Sequence, residues 1–296
     1  MKKARVLGIG VATLDIYVNC GRMYPGGNEY NVACHAAALG ADAGFLGVFA
    51  KNPAGELLEK TLNKFSVCLS KCRHEEGSSG YSLVQLMEDG DREFLAWNQD
   101  GVTERYPIAF TEEELEYIRE YQVVSVGRCA SVSLDNIRKM KEYGIDVCYD
   151  FQEIFSEEDI RMIAPMLRYA IFSCSHLEEE EIKHTLKYAV DQGAEIAIGT
   201  RGPLSVFAYD GKQYYEQETC KVEQVVDALG AGDSFIGAFL VTYLQQEERP
   251  ERIQYALQQA VKYAASVIQI EGSVGIGYDV DIKQLEPLIG LEPAIQ

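Results

Sequence analysis

The chain has 296 residues, 47% of them hydrophobic, enough to bury the core of one α/β domain. A formal net charge of −19 argues against a nucleic-acid backbone or an anionic membrane surface as partner, since both are held by clustered Lys and Arg. No apolar run approaches membrane-spanning length, and Lys2-Lys3 leads straight into a strand without a signal pattern, so a cytoplasmic protein is expected.

In chain order, Arg5-Val-Leu-Gly-Ile-Gly-Val11 predicts a buried opening strand, and Asn31 to Gly40 a small-residue helix ending at glycine. Phe45 to Phe49 continues as a strand, and a helix follows from about Gly55 to Phe65. The alternating segments 81–86 and 92–97 flank Glu88-Asp-Gly-Asp91, which carries turn chemistry, and predict a hairpin. From Val123 onward, strands at 123–126, 145–149, 170–172 and 196–199 alternate with helices at 134–143 and 179–192. Such alternation implies a largely parallel sheet. The hairpin interrupts this rhythm and is expected to project from the main sheet.

Eight cysteines, at 20, 34, 68, 72, 129, 148, 174 and 220, read as reduced core residues. Cys68, Cys72 and His74 lack a paired Cys-x-x-Cys pattern, so zinc is not expected. Gly8-x-Gly10 continues to Thr13 rather than glycine, which is too little for a dinucleotide fingerprint, and no G-x-x-x-x-G-K-S/T loop is present.

The most informative stretch is Asp227-Ala-Leu-Gly230-Ala231-Gly232-Asp233, followed at once by an apolar helical run. Two glycines around Ala231 allow a tight turn that presents N–H groups at a helix start, where unsatisfied donors and the helix dipole favour an anion. A carboxylate repels a neighbouring phosphate, so Asp233 reads as a base that takes a proton from an attacking hydroxyl. A glycine-rich turn with an acidic helix cap is the plainer alternative. Asp15, close behind the first strand, suits a sugar diol because a carboxylate only accepts hydrogen bonds; a turn aspartate is its alternative. Gly26, Gly27 and Asn28 either form a turn or let a ligand approach the backbone.

These residues carry a family resemblance. The segment Asp227 to Asp233 resembles the D-T-x-G-A-G-D signature of the ribokinase-like (PfkB) carbohydrate kinases, with Ala228 in place of Thr. Asp15, Gly26-Gly27-Asn28 and Asn31-Val32-Ala33 are similar to that family's N-terminal G-G-N-x-x-N-x-A segment. The likeness runs from Leu7-Gly8 to about Gly277 and looks closest to the fructoselysine kinases. It implies one domain over 1–296, a three-layer α/β sandwich with a mostly parallel central sheet and a small β lid built around 12–30 and 79–98.

The resemblance also implies ATP-dependent phosphorylation of a primary hydroxyl of a sugar or sugar derivative, most of all a fructosamine at its 6-hydroxyl, with Mg²⁺. On this reading Asp233 is the base, the amides of Gly230, Ala231 and Gly232 form the anion hole, and Asp15, Gly26, Gly27, Asn28 and Asn31 face the sugar. Arg128 could meet a charged substituent or stand exposed without function. Thr200-Arg201-Gly202 is similar to the family's T-x-G-x-x-G nucleotide loop, with Ser205 where the last glycine would be; Ala264 and Val267 would border the adenine or simply pack closely. Asp227 either orients its loop or holds a K⁺ ion with 271–277. Glu178 retains the acid of an N-x-x-E element that organises Mg²⁺, without the Asn, or is an exposed helix-start residue. Exposed lid edges of such folds can pair into homodimers. Other PfkB sugars (fructose, ribose, 2-keto-3-deoxygluconate, a nucleoside), a non-catalytic sugar or nucleotide sensor on this fold, and a nucleotide-dependent oxidoreductase stand as alternatives.

Overall fold

The structure, a computed structural model, describes residues 3–98, 100–246, 249–281 and 288–289; Lys2 of the basic opening lies outside them. Eight strands form a central sheet in the spatial order Tyr214–Glu218, Ser205–Tyr209, Ile196–Thr200, Tyr169–Ser173, Val147–Asp150, Val123–Gly127, Arg5–Ile9 and Asp42–Leu46. The last six run parallel, and the first two form an antiparallel hairpin on one edge. The parallel strands are nearly continuous apolar runs because both faces are covered. Residues of one register, such as Val6, Ile171 and Ile198, join a core with the helices Asn28–Ala38, Ala231–Gln245 and Arg252–Val267. Their neighbours Leu7, Phe172 and Ala197 point the other way, toward Leu134–Glu142, Glu157–Ile163 and Glu179–Asp191. Three layers result, with the sheet in the middle.

A second sheet of five strands stands apart, in the order Tyr278–Asp279, Arg22–Gly26, Thr13–Tyr17, Gly80–Leu86 and Arg92–Trp97. This is the lid. It meets the main body through a small cluster of Tyr17, Tyr24, Val84 and Leu229, and through the Ala228 N–H, which donates to Gly90 O at 3.0 Å in the hairpin turn. Its outermost strand, Arg92–Trp97, leaves Phe94, Leu95 and Trp97 exposed.

Several elements differ from expectation. The first helix starts at Asn28, three residues early, because Gly27 (φ 115°) ends the lid strand and turns the chain. The 45–49 strand divides at Gly47: Asp42–Leu46 stays in the main sheet, while Val48–Ala50 pairs with Arg73–Glu75. The edge hairpin 205–218 was missed, although Asp210-Gly211 between two alternating runs carries a hairpin signal. Of the eight cysteines, all free, Cys34, Cys148 and Cys174 are buried as expected, whereas Cys20, Cys68 and Cys129 are exposed.

Candidate active site

The helix Ala231–Gln245 begins where Gly230 adopts φ 74°, ψ 7°, a left-handed turn that a side chain resists, and where an added Cβ would also collide with Ser273. Asp233 is the third helical residue. The Ala231 N–H donates to Ala228 O at 3.3 Å, a long bond, while the N–H groups of Gly232 and Asp233 fall in the first turn, where a helix supplies no acceptors of its own. A Cβ at Gly232 would meet nothing within 4 Å, so open space lies beside these donors.

Asp233 is 9% exposed, and its Oδ2 accepts a 2.8 Å hydrogen bond from Asn31 Nδ2. Burial pushes its carboxyl up to about 7; Asn31 and Arg92 counter this, and the charges of Asp150 and Asp15 add to it. A carboxyl poised there is matched to accepting a proton near neutral pH. The helix Asn28–Ala38 thus delivers Asn31 directly to Asp233.

Asp15 lies in the lid strand Thr13–Tyr17, 5% exposed, opposite Ser82 of the adjacent strand. Burial raises its carboxyl to about 6 against the Ser82 hydrogen bond and Arg92, with Asp227 adding to the rise. Gly26 is required beside it, since a Cβ there would strike Asp15 Oδ2, and a Cβ at Gly27 would strike Val11 O. Asp150 ends the strand Val147–Asp150, and burial lifts its carboxyl to about 6, against the lowering effect of the nearby Asn28 side chain. Lid strand, first helical turn, sheet end and late helix therefore converge on one acidic cluster. Arg92, on the lid, is the cation whose charge reaches Asp15 and Asp233.

Asp227 is completely buried. Its Oδ1 accepts from Leu229 N at 2.9 Å, and its Oδ2 from Tyr17 Oη at 2.7 Å and Gly272 N at 2.8 Å. These donors make it a tie between the lid, its own loop and the 272 turn.

A comparison with known proteins decides the family. The model for the pfkB family of carbohydrate kinases matches residues 4–276. The chain belongs to that family. This kinase is 31% identical over 274 residues to the fructosamine kinase FrlD of Bacillus subtilis (strain 168), covering 93% of this chain and 94% of the relative. It is 27% identical over 265 residues to the fructoselysine 6-kinase of Escherichia coli (strain K12), covering 90% and 97%. In fold it is similar to Arabidopsis thaliana ribokinase complexed with ribose and ATP, with a TM-score of 0.78 at 20% identity over 92% of this chain and 95% of that one. A fructokinase from Vibrio cholerae O395 in its fructose, ADP and potassium form gives 0.73 at 19% identity over 93% and 95%.

The remaining residues fall around this centre. Thr200 ends the strand Ile196–Thr200, and Gly202 turns with φ 55°. Ser205 opens an extended strand paired with Glu218, a backbone any residue adopts, so the missing glycine carries no penalty. Glu178 is exposed and pairs with Arg201 of the same loop at 3.3 Å. It stands at the N-cap of Glu179–Asp191, where its N–H donates to Glu181, as the helix-start alternative expects. Ala264 is half-buried and Val267 buried; the carbonyl of Ile268, next along, accepts from Val226 and Asp227, which joins this helix end to the anion turn. Arg128 is exposed and pairs with Asp159 at 3.5 Å. The sequence reading missed Glu29, Asp150 and Arg92. Asp150 was within reach, because it ends a predicted strand and ligands gather at strand carboxyl ends. Among the described residues no helix is long and apolar enough to cross a membrane.

Proposed function

We propose that this kinase transfers the terminal phosphoryl of ATP to the 6-hydroxyl of a fructosamine such as fructoselysine. The observation that carries the transfer is Asp233: a buried carboxyl, raised to about 7, fixed by Asn31 beside open donors at a helix start. The substrate class follows from the two relatives named above, whose names are fructosamine kinase and fructoselysine 6-kinase. In the step itself, the sugar hydroxyl loses its proton to Asp233 as its oxygen forms the new P–O bond. The bond to the ADP oxygen breaks, and the Gly232 and Asp233 N–H groups take up the charge on the transferring group. Asp15 and Asn28 orient the ring.

ATP is assigned to the loop of Thr200 and Gly202 and the helix end at Ala264 and Val267. Among the described residues no group of three or more His, Cys, Asp or Glu side chains is built to hold a metal. That fits Mg²⁺ carried by phosphate oxygens and water, with Glu178 as the protein carboxylate near the nucleotide loop. Asp227 Oδ1 takes a single hydrogen bond and keeps a lone pair, so it fits a K⁺ ion shared with the 271–277 loop. A single domain over 1–296, cytoplasmic, pairing with a second copy through the Arg92–Trp97 edge, completes the reading. ADP release measured over a panel of sugars and glycated amino acids tests it. Turnover of fructose or ribose in preference to every fructosamine rejects the substrate.

A further inference from the structure

Gly8 and Gly10, too short a pattern for a dinucleotide site, acquire a reason once Glu29 is located. It is the second residue of the helix Asn28–Ala38 and only 1% exposed. Its carboxyl reaches back to the gap between the ends of Arg5–Ile9 and Val123–Gly127: a Cβ at Gly10 would collide with Oε2, and one at Gly127 would lie 2.9 Å from Oε1. Gly8 makes room for its backbone carbonyl. The chain leaves the first strand toward Asp42–Leu46 on one side and later returns with Val123–Gly127 on the other. Such a reversal of strand order is where open parallel sheets hold their ligands.

Two buried polar atoms here lack partners. One is Oε2 of Glu29; the other is Oδ1 of Asn31, 3% exposed, whose amide nitrogen already grips Asp233. The groups facing the Glu29 carboxyl are themselves acidic. Burial first, then the charges of Asp233 and Asp150, raise it to about 8, with the N–H groups of Glu29 and Val11 offsetting a part. Cys129 and Tyr149 also feel its charge, Arg128 is drawn to Asp159, and Arg92 lies on the lid side with Asp15 and Asp233. An apolar side chain would fill the same gap without the penalty of an unmet buried acceptor. What this corner lacks is a donor that carries positive charge.

We propose that Glu29 and Asp150 form a subsite for a cationic nitrogen on the sugar, and that Glu29 makes this kinase favour an aminated sugar over its neutral counterpart. The inference rests on the reading that a sugar is phosphorylated at Asp233, and deepens it by naming the contact that selects the substrate. The ammonium donates N–H to Glu29 Oε2 and to an Asp150 oxygen; Glu29 releases its proton to solvent as the cation arrives.

The full chain is compared with its Glu29→Gln variant on 1-amino-1-deoxyfructose, the N-acetylated derivative and fructose, by steady-state ADP release and by calorimetry in buffers of different ionisation enthalpy. The expected result is a fall of about 10- to 100-fold in the variant's preference (the ratio of kcat/KM values) for the amine over the two neutral sugars, carried by KM rather than kcat. Amine binding to the wild type at pH 7 releases a proton, and this release is lost in the variant. A preference unchanged within about twofold, or no proton release, overturns the subsite while wild-type turnover leaves the kinase reading standing. If the wild type turns over none of the three, that reading fails, and calorimetric binding of the amine against fructose still decides the subsite. Should Glu29→Gln not fold, as judged by nucleotide affinity and melting, Glu29→Asp takes its place; it keeps the charge but withdraws it, and must lower the same preference.

Discussion

Asp227 and Asp233 stand at the two ends of one seven-residue turn, both buried, and the structure treats them in opposite ways. Asp227 is met by three donors from three parts of the chain, whereas Asp233 has one, the Asn31 amide, and faces two further carboxylates. A carboxylate met by several donors is held still, which suits a tie between loops. One left short of donors is driven toward its protonated form, and so can take and return a proton near neutrality. The same residue type thus serves as a tie at one end and, on the proposed function, as the reagent at the other.

The largest test of that contrast is Asp233→Asn, which keeps the shape and removes the base. Turnover is expected to fall by about 10²–10⁴ with nucleotide affinity retained, as read from ADP release and calorimetry. The same variant should be more stable than the wild type at pH 8. Because burial holds the folded-state carboxyl at about 7, well above the ordinary carboxylate range of about 4, the stability it contributes is full below about 4 and lost as pH rises through about 7. The gap between the two proteins should therefore close in acid, a trend that melting curves across pH would reveal.

Asp227→Ala should behave oppositely. It strands the Tyr17 hydroxyl and two buried N–H groups, and a loss of about 3 kcal/mol or more in urea unfolding is expected. A loss under about 1 kcal/mol would mean that the tie is not what holds the lid to the anion turn.

A smaller effect belongs to Asn31. The pH profile of kcat/KM should rise through about 7 as Asp233 ionises. Removing the Asn31 amide takes away the hydrogen bond that lowers Asp233, so Asn31→Ala should move the midpoint upward by roughly half to one pH unit. A downward move would assign the profile to another group. The smallest expected change is at Gly90, whose carbonyl accepts from Ala228. At φ 83°, with an added Cβ only 2.7 Å from Val225 O, Gly90→Ala should loosen the lid and raise the sugar KM a few-fold, at a cost of about 1–2 kcal/mol.

What the sequence determined by itself was local. The apolar runs at 5–11, 123–126, 145–149, 170–172 and 196–199 announce a parallel sheet because strands covered on both faces carry no polar register. Gly-Ala-Gly before an apolar helix announces an anion site because only a few residues are needed to make one. Only the tertiary structure shows which acids face one another. Glu29, Asp150 and Asp233 lie far apart in the chain, and their proton affinities arise from burial and from one another's charge. The different surroundings of Asp227 and Asp233 likewise come from donors contributed by Tyr17, Gly272 and Asn31. Such properties belong to the environment that distant segments assemble, and no short stretch of sequence contains it.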